Sequence, residues 1–175
     1  SRCKLAIAKD YKAFAGGDVS APEKTYFDEL LRISKNQIIW GANHFISRLP
    51  IDSSCWLVWD KDNGMNDFAD CELAWSSFKS AVRKFKYTWH GMRQENMKNK
   101  EARIHPTQKP SELYEWILTR YAETNQKILD THLGSGSIAI AVDKVNKFEK
   151  MNLTLTACEV DEDYFKKAIK MIETE

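Results

Sequence analysis

An eight-residue run, Asp130-Thr131-His132-Leu133-Gly134-Ser135-Gly136-Ser137, does most to limit what this chain can fold into. It follows a short apolar stretch, residues 127–130, that reads as a strand, and it opens an amphipathic stretch to about residue 147 that reads as a helix. Glycines at 134 and 136 let the backbone turn tightly and approach a ligand without Cβ interference. The helix beyond them would present free N–H groups and its positive dipole end, suited to a carboxylate or phosphate. A second strand, residues 153–158, runs into Glu159-Val160-Asp161, and a helix is expected over 161–172 with Phe165, Ala168, Ile169 and Ile172 on one face. Strand–helix–strand–helix at this spacing implies a right-handed parallel crossover. Ligands of open α/β sheets sit beyond the carboxyl ends of such strands. An acid there can accept hydrogen bonds from both ribose hydroxyls of a nucleoside. The dinucleotide fingerprint GxGxxG is not met, because position 139 is alanine. Glycines also end strands for purely structural reasons, so it is the loop and the acid on adjacent strands that point to a nucleoside-type cofactor.

The rest of the chain is consistent with one α/β domain of 175 residues. Periodicity predicts a helix over 22–33, with Ser20 as cap and Pro22 in its first turn. Strands are expected at 37–40, 55–59, 71–75 and 82–89, with a turn at Asp62-Asn63-Gly64 and a polar loop over 91–103. Ser111 is the expected cap of a helix over 111–121 that carries Leu113, Trp116, Ile117 and Tyr121 on one face. The fold class expected is a doubly wound, mostly parallel, Rossmann-like sheet. No apolar run approaches the length of a membrane span, and no charged-then-apolar leader opens the chain. Cys3, Cys55, Cys71 and Cys158 lack paired spacing and a nearby histidine, so neither a metal site nor a disulfide framework is expected. Buried, reduced thiols in a cytoplasmic protein are the expectation. Nothing in the sequence specifies an oligomeric state.

A net charge of +1 conceals a strong asymmetry. Nine basic residues lie between positions 79 and 109, opposed only by Glu95 and Glu101, with Phe85, Tyr87 and Trp89 interleaved. That combination marks a candidate nucleic-acid face. Lys84, Lys86, Lys98 and Lys100 are candidate phosphate contacts, and Arg93 and Gln94 candidate readers of base edges. For any single lysine a solvated surface is the simpler account. Trp40, Trp59 and Trp75 are able to stack on an extruded base, although core packing suits each of them better. Asp60-Lys61 at a strand end is either near the site or an ordinary surface ion pair.

The run from Asp130 to Ser137 resembles the first cofactor-binding motif of amino-group DNA methyltransferases, and Glu159 resembles that family's ribose-binding acid. His105-Pro106-Thr107-Gln108-Lys109-Pro110 resembles the hexapeptide of the permuted subgroup, in which the cofactor half follows the catalytic half. Asn36-Gln37-Ile38-Ile39-Trp40-Gly41-Ala42-Asn43 and Trp56-Leu57-Val58-Trp59-Asp60-Lys61 resemble the phage and mobile-element branch of adenine enzymes. The resemblance covers essentially the whole chain. It implies a methyltransferase-type sheet, S-adenosylmethionine as cofactor, double-stranded DNA as partner, adenine N6 as acceptor, and a restriction-modification setting. By it, Asp130, Thr131, Leu133, Gly134, Ser135 and Gly136 would line the cofactor and Glu159 would hold the ribose. Thr107, Gln108 and Lys109 would flank the methionine carboxylate, a task that suits the compact ammonium of lysine. Pro106 and Pro110 also serve as punctuation before a helix; His105 reads as a packing residue and His132 as one that shapes the loop. The domain would divide into the remainder of a catalytic half (1–78), a candidate DNA-recognition stretch (79–104) and a cofactor half (105–175).

Family members share a tetrapeptide of Asp, Asn or Ser followed by Pro-Pro and an aromatic. Its oxygen acceptors localise the lone pair of the exocyclic amine while the ring stacks on a base that has left the duplex. The four prolines here stand apart from one another, so no such tetrapeptide occurs. Asp10 and Tyr11, after the apolar residues 5–8, are the nearest candidates. The expectation is that the tetrapeptide lies upstream and that residues 4–18 read as the loop following it. The central strand of the sheet is then either missing, which leaves an apolar seam, or replaced by 5–8. A chain of this kind alone should not transfer methyl groups. Alternatives are a cytosine-N4 enzyme, which shares the motifs, and a non-catalytic cofactor or DNA-binding module with Asp10 as a relic. A small-molecule or RNA methyltransferase is disfavoured by the hexapeptide and the permuted order.

Overall fold

The computed structural model describes residues 20–49, 52–64 and 68–174. Asp10, Tyr11, the 5–8 stretch and Cys3 lie outside these residues. The order of elements is α1 (Lys24–Ile33), β1 (Ile38–Trp40), two 3-10 turns (Ala42–His44 and Ile46–Arg48), β2 (Trp56–Asp60), β3 (Cys71–Ser76), β4 (Arg83–Lys86), β5 (Trp89–His90) and β6 (Arg93–Gln94), followed by α2 (Ser111–Tyr121), β7 (Lys127–Asp130), α3 (Ser137–Phe148), β8 (Thr154–Ala157) and α4 (Glu162–Thr174). None of these helices is long and apolar enough to cross a membrane.

Three groups of strands form among the described residues. The largest has the order β1-β3-β2-β4; β3 runs antiparallel to both of its neighbours, and β2 pairs with β4 in parallel. β5 and β6 make a small hairpin, and β7 pairs with β8 in parallel across α3, as the crossover reading requires. Among the described residues parallel pairing is therefore confined to β2/β4 and β7/β8. Residues 61–70, between β2 and β3, are fewer than the dozen or so that a parallel crossover needs, so β3 returns antiparallel. Among the described residues no strand joins β1 to β7, and each stands at an edge of its own group.

Side-chain alternation explains how these pieces pack. In β2, Leu57 and Trp59 are buried while Trp56, Val58 and Asp60 are half-buried. Leu57 packs with Cys55 and Ala74 against Trp116, Ile117 and Tyr121 of α2, and Trp59 joins Trp89 and Leu113. The opposite side of α2 offers Leu118 and Tyr114 to Ala141, Val142 and Val145 of α3, with Ile128 of β7 and Leu155 of β8 beneath. Full burial of each such side chain contributes roughly 1.5–3 kcal/mol. Trp59 and Trp75 are both core residues, each about 1% exposed.

Several local expectations are corrected. Glu23, not Ser20, is the N-cap of α1, and it makes no side-chain cap bond. Pro110 holds the N-cap position of α2 and Ser111 is already helical. The expected strand over 82–89 divides in two, because Tyr87 N makes its bond to Asp60 O (2.9 Å) while Trp89 turns inward and donates its indole N–H to Gln108 O (2.9 Å). Of the described cysteines only Cys55 is buried; Cys71 and Cys158 are exposed free thiols.

Candidate functional site

The turn after β7 is sewn to the end of β8. Cys158 N donates to Asp130 O (2.9 Å), Leu133 N to Cys158 O (2.8 Å) and Gly136 N to Leu133 O (3.0 Å). The half-buried Glu159 carboxylate crosses this turn. Its Oε2 accepts from Gly134 N at 2.8 Å and its Oε1 from Asp161 N at 2.9 Å. Each carboxylate oxygen keeps a further lone pair. Val160, beside it, is 80% exposed, an apolar surface next to those remaining lone pairs. Asp161 then caps α4 by accepting from Asp163 N and Tyr164 N.

The glycines are required for a reason other than ligand clearance. Both have positive φ, +57° at Gly134 and +82° at Gly136, a region that L side chains rarely adopt. A Cβ on Gly136 would lie 3.0 Å from Ile172 Cδ1 and 3.3 Å from Ala168 Cβ, so its missing side chain is what lets α4 close on the turn. A Cβ on Gly134 would touch only the His105 ring and His132 O, at 3.8–3.9 Å. Ser135 also faces inward, its hydroxyl 2.9 Å from that of Ser137. Leu133 is buried. Asp130 Oδ1 accepts from His132 N (2.9 Å). Burial pushes the Asp130 carboxyl above its usual range, and the neighbouring charge of Glu159 adds to this, against the His132 N–H and the Lys109 ammonium. Tyr26 of α1, not foreseen from sequence, places its hydroxyl 2.7 Å from Thr131 Oγ1, and Thr131 Oγ1 lies 3.0 Å from His132 Nδ1. A contact across 105 positions leaves no local pattern by which to find it.

The hexapeptide meets this turn through His105, which is buried with its ring 4.4 Å from that of Tyr164 and its Nδ1 3.1 Å from Thr107 Oγ1. Gln108 departs from the expectation for it. Its side chain is buried and spans its own loop, accepting from Ile104 N (2.8 Å) and donating to Ala102 O (2.9 Å), so both ends of its amide are engaged there. Lys109 Nζ pairs with Glu72 (3.0 Å), which also binds Lys61 Nζ (2.7 Å). Burial alone would raise the Glu72 carboxyl, but the two ammonium groups outweigh it and hold it below the usual carboxylate range.

On the basic side, Lys84 pairs with Asp60 (3.2 Å) and Lys86 with Asp62 (2.8 Å), both lysines well exposed. Exposed pairs of this kind contribute about 1 kcal/mol or less. Arg93 and Lys98 are exposed, and Lys100 Nζ donates to Met92 O (2.8 Å). Gln94 is corrected: it is buried, its Nε2 donating to Glu101 O (3.0 Å) and its Oε1 accepting from Glu101 N (2.9 Å), so it closes the loop and does not present to a base edge. Glu101 in turn caps α2, accepting from Ser111 N and Oγ at 3.1 Å each. Burial, with the adjoining Glu112, pushes the Glu101 carboxyl up to about 8.

A carboxyl raised above its unfolded value contributes stability fully below that value and loses it as pH rises through the folded one. Glu101→Gln, which keeps an acceptor for Ser111, is therefore expected to remove part of the alkaline loss of stability. Denaturant midpoints at pH 6 and pH 9 should separate more for the parent chain than for the variant; equal separation rules the effect out.

Residues 58–170 match the family model N6_N4_Mtase, described as DNA methylase. Two solved structures share the fold. The crystal structure of M1.HpyAVI aligns with a TM-score of 0.55 at 20% identity, over 85% of this chain and 79% of that one. The crystal structure of the M1.HpyAVI–SAM complex aligns with a TM-score of 0.56 at 21% identity, over 85% of this chain and 81% of that one. No curated protein matches the chain.

Proposed function

Because this chain belongs to the DNA methylase family whose model spans residues 58–170, we propose that it binds S-adenosylmethionine beside Gly134 and Glu159 and serves the methylation of adenine N6 in double-stranded DNA. The observation that carries this reading is the Glu159 carboxylate lying across the glycine turn at 2.8 Å, with a lone pair left on each oxygen for a ribose hydroxyl. That pair of acceptors fits the ribose of the cofactor, and exposed Val160 offers an apolar surface to a purine face. Asp130, Thr131 and Leu133 line the same turn. Lys109, with Thr107 near it, is assigned to the methionine carboxylate, as the charge of an ammonium favours. When bound, S-adenosylmethionine supplies an electrophilic methyl group on a sulfonium.

Lys84, Lys86, Arg93, Lys98 and Lys100 are assigned to DNA, the lysines as phosphate contacts whose affinity falls with salt. The division into 1–78, 79–104 and 105–175 is kept on the same grounds, as is the permuted order. Adenine is preferred to cytosine N4 on the likeness of residues 36–43 and 56–61 to adenine enzymes. With no Pro-Pro pair in the sequence, the isolated 175 residues are expected to bind the cofactor and not to transfer its methyl group.

Two measurements test this. Calorimetry should give saturable S-adenosylmethionine binding by the parent chain, and no detectable binding would remove the assignment. Labelled methyl transfer to duplex DNA, followed by nucleoside analysis, reads the rest. N6-methyladenine from the purified chain would overturn its expected inactivity but support the base assignment, whereas N4-methylcytosine would replace that assignment.

A further inference from the structure

Lys61, Glu72 and Lys109 reach one point from three parts of the chain: the residue after β2, the second residue of β3, and the segment before α2. Glu72 Oε1 receives Lys61 Nζ at 2.7 Å and Oε2 receives Lys109 Nζ at 3.0 Å. Their side chains are 19%, 32% and 15% exposed in that chain order, so solvent screens these pairs far less than a surface pair. Each ammonium also lies near an indole, Lys61 at 5.1 Å from the Trp59 ring and Lys109 at 5.6 Å from the Trp40 ring. Lys84 and Lys86 make the same kind of contact with Asp60 and Asp62 but remain well exposed. The Glu72 cluster is thus built differently from the rest of the basic face.

A largely buried ammonium with no partner either gives up its proton or swings toward water. Glu72 gives Lys109 that partner at 3.0 Å, and it does so from β3, outside the cofactor half of the chain. An ammonium has three N–H donors, and a single contact to Oε2 leaves others for a ligand. Two cations against one carboxylate leave a net positive charge at the cluster.

We propose that Glu72 is a positioning residue for the amino-acid end of the cofactor: it fixes the Lys109 ammonium, with Lys61 as the second cation that balances its carboxylate. The inference rests on the assignment of Lys109 to the methionine carboxylate. Charge alone makes the opposite forecast, because deleting an anion beside an anion-binding site should tighten binding.

The test compares two probes. S-adenosylmethionine carries the amino-acid end on its sulfonium, and 5′-methylthioadenosine keeps the adenosyl and methylthio groups, as a neutral thioether, without it. Calorimetry on Glu72→Gln is expected to show S-adenosylmethionine weakened about 10-fold or more, the scale of one charge-assisted hydrogen bond, with 5′-methylthioadenosine within about 2-fold of the parent. In a Lys109→Met background the same substitution should have little further effect, because Glu72 acts through Lys109. The inference is overturned by unchanged or tighter S-adenosylmethionine binding, by equal weakening of both probes, or by an undiminished effect in the Lys109→Met background. Should the two adjacent cations unfold Glu72→Gln, Lys61→Met/Glu72→Gln removes the surplus charge and poses the same question. A parent chain that binds neither probe defeats the cofactor assignment first and this inference with it; Lys109→Met that binds both probes normally defeats the assignment of Lys109.

Discussion

Gly136→Val should abolish S-adenosylmethionine binding and melt well below the parent chain. At φ +82° a β-branched residue is held in a region that costs about 1–3 kcal/mol. Its Cβ would then sit 3.0 Å and 3.2 Å from two atoms of Ile172, with the γ carbons still closer to α4. Overpacking of that kind costs about 1–3 kcal/mol more. For a chain of this length each kcal/mol lowers the melting temperature by roughly 2–4 °C, so a fall on the order of 5–20 °C is expected by circular dichroism. The functional loss follows from the same clash, since Asp161, which caps α4, lies two residues beyond Glu159, and moving the helix displaces the carboxylate from Gly134 N. A variant that melts and binds like its parent would mean that α4 does not rest on this turn.

Glu159→Ala is expected to weaken S-adenosylmethionine by about 100-fold or more while leaving the chain folded. On the proposed assignment two ribose hydroxyls lose a charged acceptor, and hydrogen bonds to charged groups contribute about 1.5–3 kcal/mol each. Gly134 N and Asp161 N lose their acceptor too, but the rest of the turn remains bonded through Leu133 N and Gly136 N. Glu159→Gln should fall between, because its amide can accept at one atom only and presents N–H groups where a backbone N–H already points. Calorimetry decides the matter: binding by Glu159→Ala within a few-fold of the parent would detach the cofactor from this pocket.

The β7–α3–β8 unit was readable almost residue by residue, because its strand is bounded by polar turns and its helix opens on glycines. Even there the purpose of Gly136 was misread, since its close contacts are with Ala168 and Ile172 of α4, 32 and 36 positions away in sequence. The caps of α1 and α2 were misplaced for a related reason. Serine is the ordinary cap, but α2 receives its cap from Glu101, ten residues upstream. Gln94 and Gln108 looked like ligand-facing amides, and only the folded loops show that each spans its own backbone. Tyr26 on Thr131 and Glu72 on Lys109 are of the same kind, polar contacts between distant segments that periodicity does not encode. Burial of Trp59 and Trp75, by contrast, agrees with the core packing expected of them, and at Trp59 it follows the alternation of β2.

One helix carries a burden that the strand ladders leave to it. α2 lays Trp116, Ile117 and Tyr121 on the four-stranded group and Leu118 on α3, while β1 and β7 share no ladder among the described residues. Backbone hydrogen bonds are stiff and directional, whereas interdigitated side chains slide by small repacking steps. Repacking along the flanks of α2 would therefore shift the group that carries Lys84 and Lys86 relative to α3, the helix that opens on the glycine turn.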